Sequence, residues 1–155
     1  MNNIFVYKTE IGELAIADNG RAITELYFKN KINLDGKNVE ETKLIRQAYN
    51  EFNEYLSGSR KDFNIPLEPC GTEFQLKVWE ALKTIPYGET CSYKEIAEKV
   101  NSPKAFRAVG LANNKNPISI FIPCHRVIGS NGKLVGYGGG LDVKEFLLNL
   151  EEKNS

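Results

Sequence analysis

Two capping boxes constrain the second half of this chain more than any other feature. Thr72 stands three residues before Gln75, and Ser92 three before Glu95. In each pair the hydroxyl accepts from the backbone N–H three residues on, while the longer side chain reaches back to the capping amide. Apolar residues follow at helical spacing: Phe74, Val78, Trp79 and Leu82 after the first box, Ile96, Ala97 and Val100 after the second. Ile85-Pro86-Tyr87-Gly88 ends the first helix. Ser102-Pro103 predicts a third, with Pro in its first turn, running from Lys104 through Ala112 and stopping near Asn116-Pro117. Only a short turn around Asn101 separates the second helix from the third, which is helix-turn-helix spacing.

The first half has a different texture. Residues 4–7, 12–17 and 22–28 read as strands, the last two joined by Asp18-Asn19-Gly20-Arg21, where Asn-Gly signals a hairpin. Residues 29–41 are polar and read as a loop. From Thr42 to Ser57, Leu44, Ile45, Ala48, Tyr49, Phe52, Tyr55 and Leu56 form one face of an amphipathic helix that Gly58 closes. Residues 58–70 read as an extended linker punctuated by Pro66 and Pro69. The expected architecture is α+β in two small domains, an N-terminal scaffold over 1–68 and a mainly helical domain over 69–155.

Downstream of the third helix, Ile122-Pro123-Cys124-His125-Arg126-Val127 puts the only histidine beside one of three cysteines. Apolar residues on both sides predict a buried β segment. A cysteine is a nucleophile as thiolate, and an imidazole that can hold a proton raises the thiolate fraction. Side chains of adjacent strand residues point to opposite faces, so a direct Cys124–His125 bond requires a turn or a bridging water. Read alone, the pair is equally a small buried thiol beside a satisfied core histidine. Gly129-Ser130-Asn131-Gly132 then reads as a hairpin turn, and Lys133 to Gly140 is glycine-rich without the Lys-Ser/Thr of a P-loop. A last helix is expected, capped by Asp142 and Glu145, with Phe146, Leu147 and Leu150 inward. Glu151, one turn beyond Leu147, either reaches a core group or is solvated.

Charge narrows the function classes. Twenty Lys and Arg balance twenty Asp and Glu, so no whole-molecule field favours a polyanion. The charges are unevenly placed, however. From Lys99 to Leu141 there is no acid, while Lys99, Lys104, Arg107, Lys115, Arg126 and Lys133 fall inside that window. A basic stretch around a reactive cysteine points to a polyanionic substrate, and a solvated face without acids is the alternative. Ala105, Ala108, Gly110 and Ala112 make the third helix slim, suited to a narrow groove or to close helix packing. The opening MNNIFVYKTEIGELAI has no apolar run of signal or membrane length. Three cysteines without a CxxC, and one histidine, fit reduced thiols and no metal site. A cytoplasmic monomer is expected, without cofactor or membrane partner.

GTEFQLKVWEAL, IPYGET, SYKEIA, RAVG, the Asn116-Pro117 pair, IPCHRV, GYGGGL and KEFLLNLE, spread over residues 71 to 151, resemble the O6-alkylguanine-DNA alkyltransferases. These are repair proteins that move an alkyl group from guanine onto their own cysteine. The first 68 residues match only in layout, as an RNase-H-like sheet and helix. The resemblance implies a winged helix-turn-helix-like DNA-binding domain and double-stranded DNA bearing O6-alkylguanine, bound through the minor groove with the base flipped out. It implies Cys124 as acceptor, His125 acting on it through a water, Glu151 orienting His125, and Asn116 holding the turn between helix and active-site segment. Tyr93 would donate to the base, and Arg107 would fill the hole it leaves. Ser92, Lys104 and Ala108 would flank the DNA. The carbonyls of Cys124 and Val127 would accept from the guanine amino group. Tyr137 would wall the pocket, and Gly138 would serve through its backbone N–H where some members carry Ser. Three other readings are a non-catalytic lesion-binding relative, which lacks the acceptor cysteine, a cysteine hydrolase, and a plain helix-turn-helix regulator.

Overall fold

β2 (Gly12–Asp18) is the strand around which the first unit forms. The computed structural model describes residues 1–155 in two compact units, Met1–Cys70 and Gly71–Ser155. Leu14 through Asp18 are all buried, so β2 is covered on both faces. It pairs antiparallel with β1 (Asn3–Thr9) and with β3 (Ile23–Phe28). The β2–β3 turn has Gly20 at φ +92°, and Asn19 Oδ1 accepts from the amides of Arg21 and Ala22. The loop expected over 29–41 is broken by a 3-10 turn, Lys29–Lys31, and by β4 (Asn38–Val39), which lies parallel to β1 at the sheet edge. Sheet order is therefore β3-β2-β1-β4.

α1 (Lys43–Leu56) packs on this sheet through Ile45, Ala48, Phe52 and Tyr55. Thr42 caps it by accepting from the Ile45 amide and also donates to buried Asp18 at 2.6 Å. Asp18 accepts from Asn3 Nδ2 as well. One buried carboxylate thus ties β1, β2 and the helix start together.

In the second unit α2 (Glu73–Leu82) and α3 (Tyr93–Lys99) start at Thr72 and Ser92, each with both bonds of its capping box formed. Trp79 is buried and donates from Nε1 to Ala112 O at 2.9 Å, fastening α2 to the helix that carries Ala112. A Cβ at Gly71 would come within 2.5 Å of that indole, so the chain can pass there only as glycine. The third helix, α4 (Phe106–Asn114), begins later than Ser102-Pro103 predicts. Asn101 takes φ +60°, and Ser102 to Ala105 close a separate turn in which the Ala105 amide donates to Ser102 O. Lys104 therefore lies before the helix, and α4 has no side-chain cap.

Three further expectations change. The cysteine segment is a 3-10 turn, Cys124–Arg126, and not a strand. β6 (Val127–Ile128) follows it and pairs in parallel with β5 (Cys91–Ser92). The turn at Gly129–Gly132 closes, but no strand follows it, so there is no hairpin. α5 (Leu141–Asn154) is capped by Gly140, at φ +93°, with no side-chain cap bond from Asp142 or Glu145. Its buried residues are Lys144, Leu147 and Glu151, spaced three and four apart on one face. Phe146 is exposed and Leu150 only half-buried. No helix is long and apolar enough to cross a membrane.

Candidate active site

The walls of the site come from α4, the 3-10 turn and α5. Between α4 and the turn, Asn116 donates from Nδ2 to Ile122 O at 2.8 Å and accepts the Ile118 amide on Oδ1 at 3.0 Å. One side chain thus closes the loop from 116 to 122. Within it Ile120 has φ +78°, a left-handed conformation that a β-branched residue rarely adopts, and it is buried. The loop delivers Cys124 to the interior with 3 % of its surface exposed. Its sulfur lies 3.9 Å from Ser119 Oγ.

From the 3-10 turn, His125 reaches α5. His125 Nε2 meets Glu151 Oε2 at 2.6 Å, with both residues buried. Arg126 adds two bonds to the same carboxylate, Nε to Oε1 at 2.8 Å and Nη2 to Oε2 at 3.1 Å. It also donates from Nη1 to Ile85 O at 2.7 Å, and the Gly88 amide donates to Glu151 Oε1. Burial alone would raise the Glu151 carboxyl. The bonds and charges of His125 and Arg126 outweigh it and hold the group down at about 2. Ionised Glu151 accepts, so the imidazole proton sits on Nε2 and Nδ1 carries the lone pair.

His125 itself is pushed below its ordinary value, mainly by burial, against the pull of Glu151. Burial pushes the Cys124 thiol up. Asn116, Ser119, the charge on Lys144 and the local backbone draw it partly back. The resting pair is therefore a neutral thiol and a neutral imidazole. Tyr93, the first residue of α3, is half-buried. Its hydroxyl is raised first by burial and then by Cys124, which places both in one electrostatic neighbourhood. The Tyr93 ring also lies 3.9 Å from where a Cβ on Gly110 would be, so the small residue on α4 makes room for it.

Cys124, His125, Glu151 and Asn116 are thus brought together, with Tyr93 alongside. Arg107 and Ala108 are exposed on α4, Lys104 is exposed before it, and Ser92 is half-buried at the cap of α3. Tyr137 and Gly138 lie in the glycine-rich segment, half-buried and exposed. Cys70 is exposed and Cys91 half-buried. Three participants escape a reading of the sequence. Arg126 looks like a surface base, yet it is buried against Glu151. Lys144 is fully buried, with Nζ on Val127 O at 2.6 Å and Val135 O at 2.8 Å. Asn113, also buried, donates from Nδ2 to Cys124 O at 3.4 Å. The available signal was spacing, since Lys144 and Glu151 share a helical face with Leu147.

Fold and site define a two-unit α+β protein whose helix-turn-helix unit carries a buried cysteine beside a His–Glu–Arg network. The family model for the 6-O-methylguanine DNA methyltransferase DNA binding domain matches residues 73–153, and that for the ribonuclease-like domain matches residues 5–69. The methylated-DNA--protein-cysteine methyltransferase of Methanosarcina barkeri is 51% identical over 152 residues, 96% of each chain. The constitutive one of Bacillus subtilis is 47% identical over 158 residues, 97% of this chain and 96% of the other. Mycobacterium tuberculosis OGT, crystallised in complex with DNA, superposes with a TM-score of 0.93 at 43% identity, covering 99% of this chain and 94% of that one. The chain belongs to the 6-O-methylguanine DNA methyltransferase family.

Proposed function

We propose that this protein repairs alkylated DNA by direct reversal, moving the alkyl group from O6 of guanine to its own Cys124 in a single turnover. The observation that carries the reading is the buried thiol next to a histidine whose tautomer is set by Glu151 and Arg126. A neutral buried thiol needs a base, and His125 presents Nδ1 as its unprotonated nitrogen. Through one bridging water it takes the Cys124 proton, and ionised Glu151 stabilises the imidazolium. The thiolate attacks the alkyl carbon in line. An S–C bond forms, the C–O6 bond breaks, and the electron pair leaves on guanine O6. Tyr93 donates a hydrogen bond to the departing base, which finally takes up a proton and leaves as neutral guanine. No group nearby can cleave a thioether, so the protein is spent.

A paired guanine hides this carbon in the stack, so the nucleotide must be flipped. Arg107, exposed on slim α4, enters the duplex in its place. Ser92, Lys104 and Ala108 lie along the phosphates and the minor groove. Val127 contributes its carbonyl, Tyr137 the pocket wall and Gly138 its backbone N–H. The protein acts as a cytoplasmic monomer. Intact-mass spectrometry after mixing with a duplex containing O6-methylguanine tests the reading, with peptide mapping to place the methyl. One methyl per protein, on Cys124 only, is expected. Repeated turnover would point to a hydrolase, and binding without mass gain to a non-catalytic lesion sensor.

A further inference from the structure

The turn between α2 and α3 makes three contacts with the ion pair behind His125. Ile85 O accepts from Arg126 Nη1 at 2.7 Å, and the Gly88 amide donates to Glu151 Oε1 at 3.1 Å. Between them, Arg126 Cζ lies over the Tyr87 ring, 5.7 Å from its centroid. Glu151 is buried, and its two oxygens are shared out. Oε2 receives His125 Nε2 and Arg126 Nη2, while Oε1 receives Arg126 Nε and the Gly88 amide. A carboxylate has about four lone-pair sites, so all are filled and the group is held in one orientation. Arg126 is satisfied in a complementary way. A guanidinium donates only in its plane, and an aromatic ring covers its face. Tyr87 supplies that ring. Burial and then the Glu151 charge raise the Tyr87 hydroxyl, against Arg126 and a bond to Asn154, so this side chain meets both halves of the pair.

Position 88 has little freedom to change. Gly88 takes φ +82°, and a Cβ there would come within 2.6 Å of Ser155 Cβ, at the end of the helix that carries Glu151. An added methyl would push the turn and that helix apart and draw the amide off Oε1. We propose that Tyr87 and Gly88 are positioning residues for the transfer reaction. They hold the Arg126–Glu151 pair so that Glu151 keeps His125 in its Nε2–H tautomer and Nδ1 presents its lone pair to the Cys124 proton. This rests on the repair reading above and extends its machinery to the α2–α3 turn.

The chain has one histidine, so imidazole nitrogen NMR of the full-length protein, free of DNA, reads His125 alone. Above the ordinary imidazole range of pH, wild type should show a single Nε2–H tautomer. Tyr87→Leu and Gly88→Ala should each show exchange between the two tautomers. Both should also transfer methyl from an O6-methylguanine duplex roughly tenfold more slowly in a single turnover, with duplex affinity unchanged. Tyr87→Phe keeps the ring and should rescue most of the rate lost in Tyr87→Leu. Ser155→Gly removes the atoms that a Cβ at 88 would strike, and should rescue part of the rate in Gly88→Ala. Thermal melts verify folding throughout. Slower transfer with an unmoved tautomer would make the turn purely structural and overturn the proposal, as would a wild-type rate in both variants. In those cases methyl transfer by wild type leaves the repair reading standing, whereas a wild type that transfers no methyl removes both. If one variant fails to fold, the other still decides.

Discussion

The ammonium of Lys144 and the carbonyl oxygen of Val127 are 2.6 Å apart inside a buried region that holds no carboxylate partner for that lysine. The same Nζ bonds Val135 O. One cation on α5 therefore pins both β6 and the glycine-rich segment. Burial lowers the lysine, while Cys124 draws it back up. The reciprocal effect is that its charge favours the Cys124 thiolate. Lys144→Met keeps the length and loses the charge. It should cost about 1–3 kcal/mol of stability through two lost charge-assisted bonds and raise the apparent thiol pKa. Denaturant melts read the first effect. Peptide-mapped alkylation of Cys124 across pH reads the second, and an unshifted profile would confine Lys144 to a purely mechanical role.

Glu151 makes a separate claim. Glu151→Gln leaves Arg126 buried without its counter-ion, so a stability loss of about 3–5 kcal/mol is expected. The methyl-transfer rate should fall too, because a neutral amide no longer fixes the Nε2 proton or steadies the imidazolium. DNA affinity should change little. A rate within error of wild type would show that the histidine needs no orienting carboxylate.

Acid stability follows from the same pair. The folded Glu151 carboxyl sits near 2, below its ordinary 4.5. Its contribution is complete above pH 4.5 and lost as pH falls toward 2. His125 is depressed below its ordinary 6.5, so the unfolded chain takes up that proton first and stability begins to fall below pH 6.5. The denaturation midpoint measured across pH 7 to 2 should decline in both windows. Glu151→Gln should flatten the lower one.

The parts of the molecule legible in the sequence are those whose signals are local. Thr72 with Gln75 and Ser92 with Glu95 place two helix starts because capping bonds span only three residues. β2 and the Asn19-Gly20 turn are legible for the same reason. Ser102-Pro103 misleads because a perfectly good cap was used instead for a turn after Asn101, whose backbone conformation depends on how α3 and α4 pack. β4 is invisible locally, as only two residues, Asn38 and Val39, recruited by β1. On α5 the apolar stripe predicts Phe146 and Leu150 inward. The helix instead turns Lys144 and Glu151 to the core, where Val127 O, Val135 O, His125 and Arg126 satisfy them. Hydrophobic patterning cannot foresee polar groups whose partners lie 9 to 26 residues away. The Cys124–His125 pair was conspicuous. Arg126 and Asn113 gain their meaning only from the buried atoms opposite them.

Arg107 is tested by separating flipping from chemistry. It is exposed on α4, away from the buried network. Arg107→Ala should slow transfer from O6-methylguanine in duplex DNA far more than reaction with free O6-benzylguanine, which needs no flipping. Equal losses on both would assign Arg107 to the chemistry or to folding.

Methylation should destabilise the protein. Cys124 has 3 % of its surface exposed, and the loop that bears it is closed by Asn116 and carries the left-handed Ile120. A methyl on the sulfur enlarges a side chain in a space with little room to yield. Overpacking of this kind costs about 1–3 kcal/mol. It also removes the S–H and its contact with Ser119. For a chain of this size each kcal/mol moves the midpoint by about 2–4 °C, so methylated protein should melt roughly 2–12 °C lower. Larger alkyl groups should cost more. Because Asn116 follows directly on α4, pressure on the loop also disturbs that helix, and DNA affinity should fall with stability. The measurement is a thermal melt of fully methylated against unmodified protein, both freed of DNA, paired with duplex binding at fixed salt. A midpoint unchanged or raised would mean that the pocket receives the product without strain, and release would then need a cause other than the loop.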